Sequence, residues 1–188
     1  MRKWNAPAGA LLIILAVIHG AAGAFELFGV TGGGAQWFSV LSWLFLAVLV
    51  FHAAAGIMLT IDSIRIGRKS GAFYGKANIG FWTKRISGFA IILLIFSHLL
   101  VFIGQGGGSF RLTLFEGPQL ILSLLLAAAT ALHLLMNLRP LLIAAGASGY
   151  RKYLADLLFV LAVVLAVCGI AFVIYYFRWN VWWKWSRS

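Results

Sequence analysis

The chain has 188 residues, of which 63% are hydrophobic and only 10% are charged. A water-soluble domain of this size has too few polar residues to cover so much apolar surface, so the composition excludes an ordinary soluble protein. Fifteen Lys and Arg residues against four Asp and Glu residues give a net charge of +11. Basic cytoplasmic loops of a membrane protein explain this charge better than nucleic-acid binding does, and we expect no nucleic-acid partner.

Five apolar segments have about the 20 residues that a helix needs to cross the hydrocarbon layer of a membrane. In chain order they are residues 8–30, 37–61, 86–104, 118–142 and 154–176. Glycine-rich stretches at residues 31–34 and 104–108 separate some of them. The sequence therefore predicts an all-α integral membrane protein, an up-down bundle of five transmembrane helices within residues 1–178.

Two short sequence features could indicate cleavage of a signal peptide or a disulfide bond. Ala22, Gly23 and Ala24 resemble a signal-peptide cleavage site, but we expect residues 2–24 to remain as the first membrane helix. Cys168 is the only cysteine, which excludes a disulfide framework. It lies in an apolar run, where a small buried hydrophobic side chain is the expected role.

The basic residues are distributed unevenly between the two ends of the bundle. If the N-terminus is inside, the inner side receives eleven Lys and Arg residues and the outer side four. The positive-inside rule therefore predicts an N-terminus inside and a C-terminus outside, in the inner (cytoplasmic) membrane of the cell. The tail, residues 179–188, holds four tryptophans, which is typical of an interfacial belt, with partner binding as the alternative.

Each of the first four segments contains one histidine, and these are all the histidines of the chain: His19, His52, His98 and His133. Polar groups inside lipid are costly and usually face the interior of a bundle. Zinc or copper sites need several ligands that converge on one point, whereas opposed imidazoles on facing helices are typical of haem iron. We interpret the four histidines as axial ligands of two haem b groups, with packing or proton relay as the alternative.

The predicted depths divide the histidines into two pairs. At about 1.5 Å per residue from the inner edge, His52 and His133 lie roughly 13–16 Å deep, and His19 and His98 roughly 16–18 Å deep. Alternating helix direction gives this difference for two stacked sites. We therefore predict that His52 and His133 hold an inner haem and that His19 and His98 hold an outer haem.

Polar residues at the inner end are candidate partners of the haem propionates. Lys84 and Ser87 project on the same side of the third helix as His98, which would bring them to the inner haem. Arg85 projects away from that side, and it serves a propionate, the quinone or a partner. Arg139 is a further basic candidate at this end. The alternative is that the charged side chains only extend to the membrane surface.

Two residues at the outer end are quinone-site candidates. Glu26 follows His19 by seven residues, and Gln105 follows His98 by seven residues, so each extends a histidine face towards the outer surface. A carboxylate in this position can exchange protons with a quinol. The alternative for Glu26 is an exposed acid at the membrane interface.

Four stretches of the chain resemble the single-chain, two-haem cytochrome b subunit of succinate dehydrogenases and fumarate reductases. They are Phe51-His52-Ala-Ala-Ala-Gly56-Ile57, Trp82-Thr-Lys-Arg85-Ile-Ser87-Gly88 with the following His98, His133-Leu-Leu-Met-Asn137, and the central His19 of the first helix. The Arg-x-Ser-Gly sequence followed by a helix-borne histidine is the most specific of them. The resemblance covers nearly the whole chain apart from the Trp-rich tail.

This resemblance implies a membrane anchor for an iron–sulfur subunit and a flavoprotein subunit that carries FAD. Two haem b groups, on the same four histidines, would pass electrons between these partners and a quinone, either menaquinone or ubiquinone. Residues 65–85 would be the docking surface for the iron–sulfur subunit, and the complex could form a higher oligomer. The chain has no residues for succinate chemistry itself, so it would be the membrane subunit of an oxidoreductase whose dehydrogenation occurs on a partner.

Two other classes of function remain open at this point. One is another two-haem cytochrome b, such as a hydrogenase anchor or a b561-type electron carrier. The other is a haem-free membrane transporter or scaffold, in which the histidines relay protons or form hydrogen bonds. An absorbance spectrum separates the two classes, because only bis-histidine haem gives a sharp α band when reduced.

Overall fold

The computed structural model of the chain describes residues 2–71, 78–103, 112, 115–147 and 149–182. Within these ranges the chain is helical and has no strand. Its helices are α1 (Arg2–Phe28), α2 (Gln36–Lys69), α3 (Ile79–Phe102), α4 (Gly117–Ala144) and α5 (Tyr150–Tyr176), and a π-helical turn (Phe177–Trp182) extends α5. All five α-helices are long and apolar enough to cross a membrane, so the chain has the architecture of a multi-pass membrane protein.

Several helices are longer than the apolar segments that predict them. Helix α2 continues past Ile61 to Lys69, because its polar last turns are still helix-compatible and Arg68 and Lys69 complement the dipole at its C-terminus. Gly71, with a φ of 65°, follows this helix in the left-handed conformation that favours glycine. Helix α3 begins at Ile79 instead of residue 86. Hydropathy identifies only the residues that cross the hydrocarbon layer. A helix can continue into the membrane–water interface, so the helices are longer than the apolar segments.

Proline and glycine occur in or just before the first turns of the other helices. Helix α1 begins at Arg2, six residues before the predicted start, and includes Pro7, whose ring removes one backbone hydrogen bond. The first turn of α4 contains Pro118, and the Gln119 side chain accepts a hydrogen bond from the backbone N–H of Glu116 at 3.1 Å. Gly149, with a φ of 85°, places the start of α5 at Tyr150.

The first four helices surround a central space. Helix α1 packs against α2, and α3 packs against α4, to give two closely packed pairs. The pairs meet at only a few positions, between α1 and α4 and between α2 and α3. The backbones of the described diagonal helices, α1 with α3 and α2 with α4, do not come close, so only side chains span the space between them. Helix α5 lies against both α1 and α4 and covers the seam between them.

Successive helices run in opposite directions. Gly9 near the start of α1 lies beside His52 at the middle of α2, while His19 lies beside Ser42, which precedes His52 by ten residues in α2. We call the end of the bundle that holds Asn5 the N-terminal end and the other end the distal end. Large apolar side chains on the outer surface of the helices are exposed, which is expected of a bundle in lipid.

An aromatic cluster closes the distal end of the bundle. Tyr175 is only 1% exposed, its ring lies 5.4 Å from that of Phe115, and its hydroxyl accepts a hydrogen bond from the backbone N–H of Leu112 at 2.5 Å. The Asn180 side chain donates a hydrogen bond to the carbonyl of Phe115 at 2.8 Å. These contacts join the end of α5 and its π-helical turn to the segment that precedes α4.

Candidate functional site: a histidine-lined cavity

A cavity of about 1220 Å³ lies between α1, α2, α3 and α4, and residues of α5 such as Cys168 and Phe172 complete its wall. It exceeds the roughly 300–1,000 Å³ of typical small-molecule pockets. His19, His52, His98 and His133 all line it, one from each of the four helices. The cavity therefore brings together imidazoles that are up to 114 residues apart in the sequence.

His19 and His98 face each other in the distal half of the cavity. Their ring centroids are 6.0 Å apart, and their planes are inclined by 65°. Aromatic rings hold both imidazoles, since His19 stacks on Phe38 at 5.1 Å and His98 stacks on Phe102 at 4.6 Å. The Nδ1 atom of His98 is buried and has no hydrogen-bond partner within the described part of the chain.

His52 and His133 lie in the N-terminal half of the cavity, each against a glycine of the neighbouring helix. A Cβ atom on Gly9 would lie 3.5 Å from Cε1 of His52, and one on Gly88 would lie 3.2 Å from Cε1 of His133. The second distance is tighter than ordinary van der Waals contact, so only glycine leaves the His133 ring its full space. The Nδ1 atom of His52 is buried without a hydrogen-bond partner among the described residues.

The two halves of the cavity are distinct levels along the helix axes. On α1, Gly9 lies at the same level as His52 of α2, and His19 follows Gly9 by ten residues. On α3, Gly88 lies at the same level as His133 of α4, and His98 follows Gly88 by ten residues. Ten helical residues correspond to about 15 Å of rise. The structure thus places His19 with His98 at one level and His52 with His133 at the other.

Each level has one serine hydroxyl on an imidazole. Ser42 Oγ of α2 lies 3.2 Å from Nδ1 of His19, and Ser87 Oγ of α3 lies 3.1 Å from Nδ1 of His133. Ser87 was expected beside the inner pair, but Ser42 was not among the predicted site residues. Its signal in the sequence was a polar residue inside an apolar span at the depth of His19.

Three polar side chains gather at the N-terminal end of the cavity. Lys84 and Arg85 both line it, as does Asn5. Within the described residues, the buried Nε of Arg85 and Oδ1 of Asn5 have no hydrogen-bond partner, and the Arg85 guanidinium lies 4.6 Å from the centroid of the Phe81 ring. Asn5 was missed as a site residue, because it precedes the predicted first helix.

Arg139 does not reach the cavity. Its side chain is exposed and lies within hydrogen-bonding reach of the Tyr150 hydroxyl at the start of α5. Its neighbours Leu138 and Pro140 line the cavity, whereas Arg139 does not. Arg139 is therefore placed at the surface of the N-terminal end.

The two quinone-site candidates have different positions relative to the structure. Glu26 lines the distal half of the cavity and is only 8% exposed, so its carboxyl group is not an exposed interfacial acid. Gln105 lies outside the described residues. Glu26 follows His19 by two turns of α1, which places an ionisable group between the distal imidazole pair and the distal end of the bundle.

The cavity is open to the side between α2 and α3. These helices approach each other at only a few positions. Trp43 of α2 and Phe89 of α3 line the cavity, yet both side chains are largely exposed on the bundle surface. An apolar molecule dissolved in the bilayer can therefore reach the cavity without crossing a polar surface.

The donor set narrows the kind of metal centre that the cavity can hold. Over the described ranges, no three His, Cys, Asp or Glu side chains are placed to bind one metal ion together. Structural zinc sites use four protein ligands and catalytic ones use three. Haem iron needs only one or two protein ligands, because the macrocycle occupies the other positions. Pairs of imidazoles therefore fit haem better than a bare ion.

Comparisons with known proteins do not identify a family. No protein-family model matches the sequence, and no curated protein and no solved structure matches the chain. The resemblance to two-haem cytochrome b subunits consequently rests on the residues quoted above. Function is inferred from the cavity and from those residues.

Proposed function

We propose that the chain is a di-haem cytochrome b, a membrane electron-transfer subunit in which His52 and His133 ligate one haem and His19 and His98 ligate the other. The observation that carries this proposal is the arrangement of all four histidines of the chain in one cavity, two at each level. A haem-free transporter or scaffold does not require a second pair about 15 Å along the same helices.

The distal pair supports the proposal by its spacing. Metal–imidazole bonds are about 2 Å long, so two imidazoles on opposite sides of one ion have ring centroids roughly 6 Å apart. The observed separation of His19 and His98 is 6.0 Å. The large cavity and its apolar walls are also suited to flat macrocycles.

Haem supplies one-electron transfer when it is bound, and the protein contributes positioning and electrostatics. The four imidazoles would hold the iron of the two haems, and the packed rings of Phe38 and Phe102 limit the orientations of the distal pair. At the N-terminal end, Lys84 and Arg85 offer positive charge inside the cavity. A haem propionate there would give the buried Nε of Arg85 the acceptor that it lacks.

A quinone is the proposed mobile electron carrier. It would reach the cavity from the lipid through the opening between α2 and α3. Quinol oxidation releases protons as well as electrons, and Glu26 is a buried carboxyl group in the distal half of the cavity that can accept one. Whether the quinone is menaquinone or ubiquinone does not change these roles.

The resemblance of the quoted sequences extends the proposal to a succinate:quinone oxidoreductase, either succinate dehydrogenase or fumarate reductase. The chain would then anchor an iron–sulfur subunit and an FAD-containing flavoprotein to the inner membrane. The basic residues near the end of α2 suit docking of the iron–sulfur subunit. An inside N-terminus and an outside C-terminus follow from the distribution of Lys and Arg residues.

The first test is the amount of haem per polypeptide, measured by pyridine haemochrome on the full chain purified with any bound partners. About two b-type haems per chain are expected from two bis-histidine pairs. Preparations without haem, after expression with sufficient haem supply, would overturn the proposal. Copurification of a flavoprotein and an iron–sulfur protein with succinate:quinone activity tests the wider assignment separately.

A further inference from the structure

The Ser42 hydroxyl makes two hydrogen-bond contacts, one to a backbone carbonyl and one to an imidazole. Its Oγ donates a hydrogen bond to the carbonyl of Phe38, one turn earlier in α2, at 2.8 Å. The same oxygen lies 3.2 Å from Nδ1 of His19 on α1. The hydroxyl thus connects an imidazole of one helix to the backbone of its neighbour.

Ser87 repeats this arrangement at the other level of the cavity. Its Oγ lies 3.2 Å from the carbonyl of Lys84 on α3 and 3.1 Å from Nδ1 of His133 on α4. Ser87 is only 3% exposed, so water does not compete for these contacts. The two serines come from different helix pairs, yet each contacts the same ring atom of one histidine.

A serine hydroxyl has one hydrogen to donate and two lone pairs that accept. When the hydrogen is donated to a backbone carbonyl, the oxygen can bond to a ring nitrogen only by accepting. Nδ1 of His19 and of His133 must then carry its hydrogen and donate it. In a neutral imidazole the other nitrogen, Nε2, is left without a hydrogen and with its lone pair free.

The partner histidine at each level has no serine on its ring, and His52 has a hydrogen-bond contact with the backbone of Asn5 instead. Nδ1 of His98 and Nδ1 of His52 are buried and unpaired within the described part of the chain. Each level therefore combines one imidazole held by a serine with one whose tautomer no hydroxyl determines. A hydrogen bond at the remote nitrogen of a metal-bound imidazole fixes its orientation and raises its basicity.

We propose that Ser42 and Ser87 are positioning residues that hold His19 and His133 in the Nδ1–H tautomer, present Nε2 as the ligand atom, and lower the reduction potential of the haem at their own level. The effect on potential rests on the proposed di-haem function. A more basic Nε2 donates more electron density and favours ferric over ferrous iron, which is why the potential falls.

The tautomer is tested first on the haem-free full chain in lipid nanodiscs, by NMR of ¹⁵N-labelled histidine. His19 and His133 are expected as the Nδ1–H form, and Ser42→Ala should alter the ring-nitrogen shifts of His19 but not of His133. Ser42→Thr, which keeps the hydroxyl, should restore them. A predominant Nε2–H form of His19 in the unaltered chain would overturn the proposal, and this result is independent of haem binding.

The potential is tested by redox titration of the haem-loaded chain. Ser42→Ala should raise the midpoint of one haem only and Ser87→Ala that of the other. Each shift is expected to be up to about tenfold in the ferric-to-ferrous ratio at fixed ambient potential, which is about 59 mV for one electron. Ser63→Ala is the matched control, because Ser63 also bonds a carbonyl one turn earlier in α2, at 2.7 Å.

The two experiments separate the possible failures. Unchanged midpoints in both serine variants, with haem content intact, contradict the positioning role while the di-haem function stands. A chain that never takes up haem contradicts the di-haem function, and the NMR result alone then decides the tautomers. Equal shifts of both haems in each variant would mean that the serines act through the fold and would overturn their assignment to separate levels.

Discussion

Gly88 of α3 lies directly against the imidazole of His133 on α4, and an added Cβ atom would stand 3.2 Å from Cε1 and 3.5 Å from Nδ1 of the ring. Gly88 also follows Ser87, which contacts the same Nδ1. Two consecutive residues of α3 thus define the place of one histidine on its neighbour. The glycine provides the space, and the serine provides the hydrogen bond.

Gly88→Ala is therefore expected to displace His133 and to deplete or perturb the inner haem, with the outer haem retained. Alanine favours a helix interior over glycine by about 0.5–1 kcal/mol, so a loss would come from the contact and not from helix propensity. Haem content and the reduced spectrum report the change. Gly80→Ala on the same helix is the control, because its Cβ would meet only Met136 at 3.9 Å; equal effects of both variants would contradict the prediction.

The pairing of the histidines predicts which substitutions share an outcome. His52→Ala and His133→Ala should each remove the same haem, and His19→Ala and His98→Ala should each remove the other, so that every variant falls from about two haems to about one. Optical spectra of the reduced variants distinguish the two haems. If His52→Ala and His98→Ala depleted one common haem, the assignment of levels would be wrong.

Glu26→Gln tests the proton acceptor proposed for quinol turnover. The amide keeps the shape of the side chain but cannot take up a proton, so turnover should fall by roughly a hundredfold or more. Haem content should not change, because Glu26 is not a ligand. Turnover by the purified complex with a soluble quinol analogue gives the rate, and a rate equal to that of the unaltered chain removes Glu26 from the site.

Tyr175→Phe tests the distal cluster independently of any cofactor. The substitution leaves the buried N–H of Leu112 without its acceptor, which should lower the free energy of unfolding by about 1–3 kcal/mol. Unfolding of the full chain in mixed micelles measures the difference. Tyr153→Phe on the exposed surface of the same helix should change it little, and a similar loss in both variants would argue against the Tyr175 contact.

The sequence was sufficient to predict five membrane helices, because an apolar run of about 20 residues rarely occurs outside a membrane span. It placed helix ends less well, as in α2, where the helix continues eight residues after the apolar run ends. Hydropathy identifies the residues that lie in the hydrocarbon layer. The polar turns between Ile61 and Lys69 lie outside that layer, so hydropathy does not detect them. The ends depend instead on capping and on local glycines.

Part of the site could also be predicted from the sequence, because some of its geometry depends on position along a single helix. Depth depends only on residue number along a helix, and the structure places His19 beside His98, the two residues that the depth calculation paired. Contacts between helices also depend on rotation and register, which one sequence does not specify. The contacts of Ser42 with His19 and of Gly9 with His52 depend on rotation and register and were therefore not predicted. The surface position of Arg139 was not predicted for the same reason.

The packing of α5 across the seam between α1 and α4 has a consequence for biogenesis. Synthesis proceeds from the N-terminus, so the first four helices leave the ribosome before the helix that joins their two pairs. Until α5 arrives, the pairs α1–α2 and α3–α4 touch at only a few positions, and the space between them can widen. The last helix to be made is therefore the one that fixes the two pairs against each other and sets the width of the space between them.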